Sequence, residues 1–415
     1  MATLIEQKPL YTQLPVGQEV IFVVSNNTIV SGFTNVRFIA DVYISDTIPS
    51  SVTTTSTPTA TFKTTPNNAG VGIFDLKQVV ENYVSADNMA YNFSEYKGVS
   101  TTDNTPHPIH LIDKYSRNKK AARWLTIQFK TQYTDASGEV VTPEALFAVS
   151  VDYQLFNGYL KYTDELSIFN NDFGFSLGNF NLSSPTDKFL TNAPKVQYAN
   201  IEDYGTLAFL APNDNLSYIK LTYYTSAGLP IGTENVDRLG ANGAYNGVYS
   251  SRIYQQLMYF GCFPANLMRN GSSLFAGLVS VGTIQGGSIV VQAFSISQAI
   301  SKEYTIKINC PNLKGFESIR LCWLNQWGAW DYYTFTQKSI RSISTKGSTY
   351  EQLAGTWNEA AYRVDSYKGG KKAFRVNATE KITMNSDFVS ESENDMFEEL
   401  INSPEVYILE GYQTD

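Results

Sequence analysis

The stretch EVIFVVSNNTIVSGFTNVRFIADVYIS, residues 19 to 45, sets the first constraint on the fold. In its second half Val36, Phe38, Ala40, Val42 and Ile44 recur at every other position, with Arg37 and Asp41 between them. A period of two belongs to a strand with one dry face. Composition extends this to the whole chain: Tyr (27) and Phe (24) are abundant, Thr and Ser recur in runs, and long Ala/Leu/Glu/Lys stretches are nearly absent. Such usage favours strands over helices.

A chain of 415 residues exceeds one ordinary core, which points to several domains. The expected organisation is mainly β, as tandem β-sandwich domains (Ig-like or jelly-roll-like) with a small C-terminal α+β domain. The boundaries fall at 1–150, 151–304 and 305–415. In the first part, IPSSVTTTSTPTATFKTTPNN reads as a long loop or frayed edge hairpin. GIFDLKQVVENYVS reads as a short helix capped by Asp75, and ARWLTIQFKTQYTDASGEVV as a strand, an Asp-Ala-Ser-Gly turn and a return strand. QYTDASGEVV and YYTSAGLPI both pass from Tyr-Thr into a small-residue Gly turn, a hint of two related sandwiches. LFNGYLKYTDELSIFNNDFGFSLGNFNLSSP, between them, reads as a crossing segment.

LFAGLVSVGTIQGGSIVVQAFSI is broken by Gln285, Gly286, Gly287 and Gln292, and reads as two strands around a Gly-Gly turn, with no membrane span. KKAFRVNATEKITMNS reads as a strand pair. SESENDMFEELIN carries the Ser-x-x-Glu of a capping box at Ser390 and Glu393, with Met396, Phe397 and Leu400 on one face, and SPEVYIL returns as a strand.

Charge and chemistry narrow the function. A net charge of −8 provides no global field for phosphate backbones or anionic lipid, so direct nucleic-acid binding is not expected. The start of the chain lacks the basic and then apolar pattern of a signal peptide. Cys262, Cys310 and Cys322 form no Cys-x-x-Cys pair and read as buried thiols in a reducing compartment. The two histidines, His107 and His110, stand among prolines that forbid a shared helical face, and read as part of a surface loop. No phosphate-binding or dinucleotide-binding glycine motif occurs. No metal or cofactor is expected. Carboxylate candidates for glycoside hydrolysis, Glu202 with Asp203 or Asp331 beside Trp330, are no better than any acidic β protein offers. Basic clusters containing Lys119, Lys120, Lys371 and Lys372, and an acidic run containing Glu391 and Glu393, suit charge-complementary contacts between subunits.

The densest signal is RLCWLNQWGAWDYYTF, residues 320 to 335. Ile319, Leu321 and Trp323 alternate with Arg320, Cys322 and Leu324, so both faces are largely apolar and the strand must be covered on both sides, within its domain or by a neighbouring subunit. Gln326 to Ala329 form the turn, with Gly328 free to take a positive φ. Trp323, Trp327, Trp330, Asp331 and Tyr332 are therefore candidate interface residues, with carbohydrate stacking at the hairpin tip as the rival reading.

LCWLNQWGAWDYYTF resembles a hairpin of virion structural proteins of tailed double-stranded-DNA bacteriophages. In those chains it is preceded by a segment similar to KFLTNAPKVQYANIEDYGTLAFL and followed by one similar to FRVNATEKITMNSDFVSESENDMFEELINSPEVYIL, and all three stand here in that order. The resemblance implies a non-enzymatic subunit of a neck, tail or baseplate, assembled in the host cytoplasm into an oligomeric ring with copies of itself and other virion subunits. It supplies no catalytic residues. The alternative is a virion protein that binds a receptor or a host surface glycan through the aromatic hairpin.

Overall fold

The computed structural model describes residues 2–46, 56–85, 89–90, 107–112, 114–117, 120–162, 164, 180, 182–210, 216–238, 257–269, 273–310, 315–356, 359–364 and 369–410. The architecture is mainly β, with 45% of the described residues in strands and 14% helical. The chain divides into two compact units: residues 1–311, 320–333 and 390–415 form the first, and 312–319 with 334–389 form the second.

The alternation in residues 34–45 becomes the strand Thr34–Ser45, whose Val36, Phe38, Ala40 and Val42 are buried. It lies in a sheet ordered Gln13–Pro15, Tyr153–Phe156, Ala122–Thr134, Thr34–Ser45, Ala60–Thr64. The first pair is parallel and the others antiparallel. Leu4–Gln7, Ile21–Ser25 and Val71–Asp75 make a separate three-stranded sheet. Phe22 and Phe74 from this sheet and Phe38 and Phe129 from the other enter one apolar cluster, with the rings of Phe22 and Phe129 5.5 Å apart. Asp41, on the opposite face, is buried as well; Lys130 (2.5 Å) and Thr61 (2.5 Å) hold its carboxylate.

A second set of strands follows the same plan. Val196–Ala199, Tyr304–Ile308, Ser288–Phe294, Tyr218–Tyr224 and Pro230–Asp237 form a sheet whose first pair is again parallel. Thr206–Leu210, Leu257–Gly261 and Tyr115–Arg117 form its companion. Numbered by chain order within each set, with Leu4–Gln7 and Tyr115–Arg117 left out of the count, both main sheets run first, seventh, sixth, third, fourth, and both companions pair the second strand with the fifth. The hairpins QYTDASGEVV and YYTSAGLPI do not mark this repeat. One follows the sixth strand of its set and the other the third. They look alike because they share a turn: Asp135 and Thr225 each accept from a glycine amide three residues on, and each donates its own amide to the carbonyl four residues on. Gly138 and Gly228 take φ of 85° and 77°.

Boundaries at 150 and 304 do not follow these units. Tyr153–Phe156 completes the first set, Tyr115–Arg117 pairs with Leu257–Gly261, and residues 320–333 and 390–415 belong to the first unit. Two other expectations are corrected. Residues Ser273–Ser280 form a helix, not a strand, because Leu274, Phe275, Leu278 and Val279 recur at helical spacing and pack on the second core. KKAFRVNATEKITMNS holds one long strand, Gly370–Thr383, whose partner is Ile340–Gln352. Among the described residues, no helix is long and apolar enough to cross a membrane. Most of the crossing segment at 155–185 lies outside the described residues, as do residues 47–55 of the Thr-rich run and Lys119.

Near the C-terminus the local readings hold. The capping box of Ser390 and Glu393 forms, followed by the helix Asn394–Asn402 with Met396 buried. Val406–Leu409 then pairs antiparallel with Ile319–Leu324.

Candidate functional site

The aromatic hairpin is built around one asparagine. Asn325 Oδ1 accepts from the amides of Trp327 and Ala329 (both 3.0 Å), which folds residues 325–329 into a tight turn. Gly328 sits there at φ 71°, and a Cβ on it would collide with the Asn157 carbonyl. Only glycine meets both demands.

The turn does not present its aromatics to solvent. Trp323 is 0% exposed, Trp327 1%, Trp330 2%, Asp331 3% and Tyr332 3%. Trp327 donates its indole N–H to Asn192 Oδ1 (3.1 Å) and packs on Phe180, with ring centroids 4.2 Å apart. Trp330 lies between His110 and Tyr407. With no ring face in contact with water, a sugar cannot stack on these residues unless the core opens. Every residue of Ile319–Leu324 is buried, and Cys322 and Leu324 with Trp327, Trp330 and Tyr332 enter the first unit's own core, one of the two coverings the sequence allowed.

Two polar clusters lie behind the hairpin. In the first, Asp331 accepts from Thr191 (2.5 Å) and Asn325 (3.1 Å), and Glu399 accepts from Asn192 (2.7 Å) and from the Gln326 amide (3.4 Å). Burial raises the Asp331 carboxyl to about 6. Burial, reinforced by the Asp331 charge, raises Glu399 to about 8. At neutral pH the pair retains a proton, as expected for two carboxyls removed from water. Sequence reasoning singled out Asp331 but not Glu399, although Glu399 lies one turn from Met396 on the apolar side of its helix, and that position was the available signal.

In the second cluster, His110 Nδ1 meets Tyr332 Oη (2.8 Å) and Nε2 lies 3.8 Å from Cys322 Sγ. His110 is therefore buried in the core and not in a surface loop, because Ile109 and Ile112 beside it anchor the segment. Arg320 donates to the Tyr204 carbonyl (2.7 Å), pairs with Asp203 (3.3 Å) and lies over the rings of Phe263 and Tyr332. Glu202, adjacent to Asp203, is exposed. Those two acids thus occupy different environments and cannot work as a pair.

Neither cluster holds a thiolate or a pair of carboxylates facing a cavity. A cysteine nucleophile needs its thiolate, yet burial raises Cys322 to about 12 and, with help from Arg320, lowers His110 to about 3. Both stay neutral. The buried carboxyls have side-chain and backbone amides where a glycosidic bond and a water would have to fit. A cavity of about 390 Å3 opens beside Thr191 and Asn192, and neither carboxyl lines it. Among the described residues, no grouping of histidine, cysteine and acid side chains can hold a metal ion. The clusters instead join elements distant in sequence: Asp331 and Glu399 tie residues 191–192, the hairpin turn and the last helix together.

The charged candidates are dispersed. Lys120 is exposed, and its carbonyl accepts from the Ser85 amide. Lys371 and Lys372 lie opposite Glu351 and Tyr350 in the long ribbon of the second unit. Glu393 is engaged in its capping box, and Glu391 is exposed in the same turn. Comparison with models of known protein families and with curated protein sequences returns no match.

Proposed function

We propose that the chain is a non-enzymatic structural subunit of a tailed-bacteriophage particle, repeated around the axis of a neck, tail or baseplate, with its two strand sets acting as tandem Ig-like sandwiches. The strand order supports the fold reading: a main sheet that joins the first strand to the seventh, sixth, third and fourth, facing a second–fifth pair, follows the Ig plan with an added edge strand. The two buried clusters, one with a retained carboxyl proton and one with a neutral thiol and imidazole, support a scaffold over a reactive centre.

One observation carries the assembly reading. Ile340–Gln352 and Gly370–Thr383 form an isolated two-stranded ribbon, exposed along nearly its whole length. Alternate residue pairs of the ribbon face the same way, and one face gathers Ile343, Thr345, Val376, Ala378 and Ile382. Ile343 is 69% exposed and Val376 60%. A lone hairpin of this kind is marginal in water, and its open edges invite pairing. Contact with a neighbouring copy covers the apolar face and stabilises the ribbon.

Sedimentation over a range of concentrations tests this. The full chain should form oligomers, and removal of residues 340–383 should leave a folded monomer. A full chain that stays monomeric at every concentration counts against the proposal.

A further inference from the structure

The other face of the same ribbon differs in kind. Pairing of Ser342 with Lys381, Lys346 with Asn377, Ser348 with Arg375, and Tyr350 with Lys372 places Lys381, Lys346, Arg375 and Lys372 together on it, and no carboxylate shares that face. The cations of the apolar face are matched by acids: Arg341 pairs with Glu317 (2.7 Å) and Glu380 (3.5 Å), and Lys371 lies opposite Glu351. No ion pair forms at the four cations among the described residues; Arg375 Nε reaches only Asn377 Oδ1 (3.3 Å). At the register irregularity beside Arg375, Phe374 sets its ring 6.4 Å from that of Tyr350, and both rings are exposed (68% and 48%). This face therefore joins four uncompensated cations, hydroxyl and amide side chains, and two solvent-facing aromatics.

We infer that this face of the ribbon binds a nucleic-acid phosphodiester backbone without sequence preference. Eight residues separate the outermost cations along the strand, roughly 27 Å at strand rise. Phosphates are regularly spaced over such a length, and serine, threonine and asparagine side chains donate to them. A two-stranded ribbon fits a B-DNA major groove, while aromatics between cations suit stacked single-stranded bases. The acidic turn and helix of a second copy match the face less well. Of its exposed acids, Glu393 is held by its cap and Glu398 by Lys161 (3.0 Å), which leaves Glu391 and Asp395 against four cations. The net charge of −8 excludes a global electrostatic footprint, but a local one on a single ribbon face is compatible with it. The inference does not depend on the virion reading.

Fluorescence anisotropy with the full chain tests it, using a labelled 20-bp DNA duplex and a 20-nucleotide single strand between 25 and 200 mM salt, about the range over which phosphate contacts weaken. With four phosphate contacts, log K should fall against log salt with a slope of about −3.6 for the duplex. Lys346→Ser with Arg375→Ser should bring the slope to about −1.8 and weaken binding about tenfold or more at 50 mM salt. Lys63→Ser, an exposed cation on the edge strand Ala60–Thr64 of the first unit, should leave binding unchanged. Tyr350→Ala with Phe374→Ala should weaken binding of the single strand more than of the duplex, because only unpaired bases stack on the two rings. Salt-independent binding, no binding of either probe at 25 mM salt, or full binding by the double-serine variant would overturn it. So would loss of self-association in that variant with DNA binding intact, which would identify an acidic protein face as the partner.

Discussion

Replacing Glu399 with glutamine should remove most of the pH dependence of the last helix. Glu399 is 2% exposed and keeps its proton up to about 8, whereas in the unfolded chain it titrates near its ordinary value of 4.5. Between those values the folded state holds one proton more than the unfolded state. A raised carboxyl contributes its full stability below the unfolded value and loses it as pH rises through the folded one. With one proton at stake and about 1.4 kcal/mol per pH unit, the loss is about 3 kcal/mol between pH 5.5 and 7.5. Amide hydrogen exchange of residues 394–402 reads this locally, which matters in a chain with more than one folding unit. The wild type should lose roughly a hundredfold of protection across that interval, about what 3 kcal/mol represents, and Glu399→Gln should stay nearly flat. Equal slopes in the two proteins would refute the assignment of a retained proton to this site.

Further expectations follow from the hairpin and the buried ion pair. Gly328→Ala should destabilise the first unit by about 3 kcal/mol or more in thermal melts, since it adds both a positive-φ penalty and a clash with the Asn157 carbonyl. Arg320→Met should cost about 3–5 kcal/mol by leaving the Asp203 carboxylate buried without the Arg320 cation, and adding Asp203→Asn should recover part of that. Cys310 is exposed, against the expectation of a buried thiol, so in the native protein iodoacetamide should modify it and spare the buried Cys262 and Cys322 until denaturant is added.

Local chemistry proved the most legible part of the sequence. Val36 to Ile44, the Asp135 turn, Gly328 and the Ser390–Glu393 box each declare themselves within a few residues, because their period or cap is a short-range property. The strand order was not legible in that way: the pairing of residue 13 with residue 154 leaves no local mark, and the hairpins that look alike occupy different places in their sets. Residues 340–352 escaped notice because IRSISTKGSTYEQ alternates weakly and has few apolar side chains, as suits a strand exposed on both faces. The hairpin's pattern demanded cover from its own domain or from a neighbouring subunit, and Trp327 and Trp330 find it in the first unit's core. Their cover comes from Phe180, His110 and Tyr407, far away in the chain. His110 is buried for a related reason: flanking prolines describe its backbone, while Tyr332 and Cys322 determine its environment.

The most direct test of the proposed assembly is photo-cross-linking from Val376, on the apolar face of the ribbon, in particles purified from cells that make the chain. The account predicts covalent products with neighbouring copies of this chain or with another virion subunit. Particles that contain none of the chain, or in which Val376 captures nothing, would contradict it.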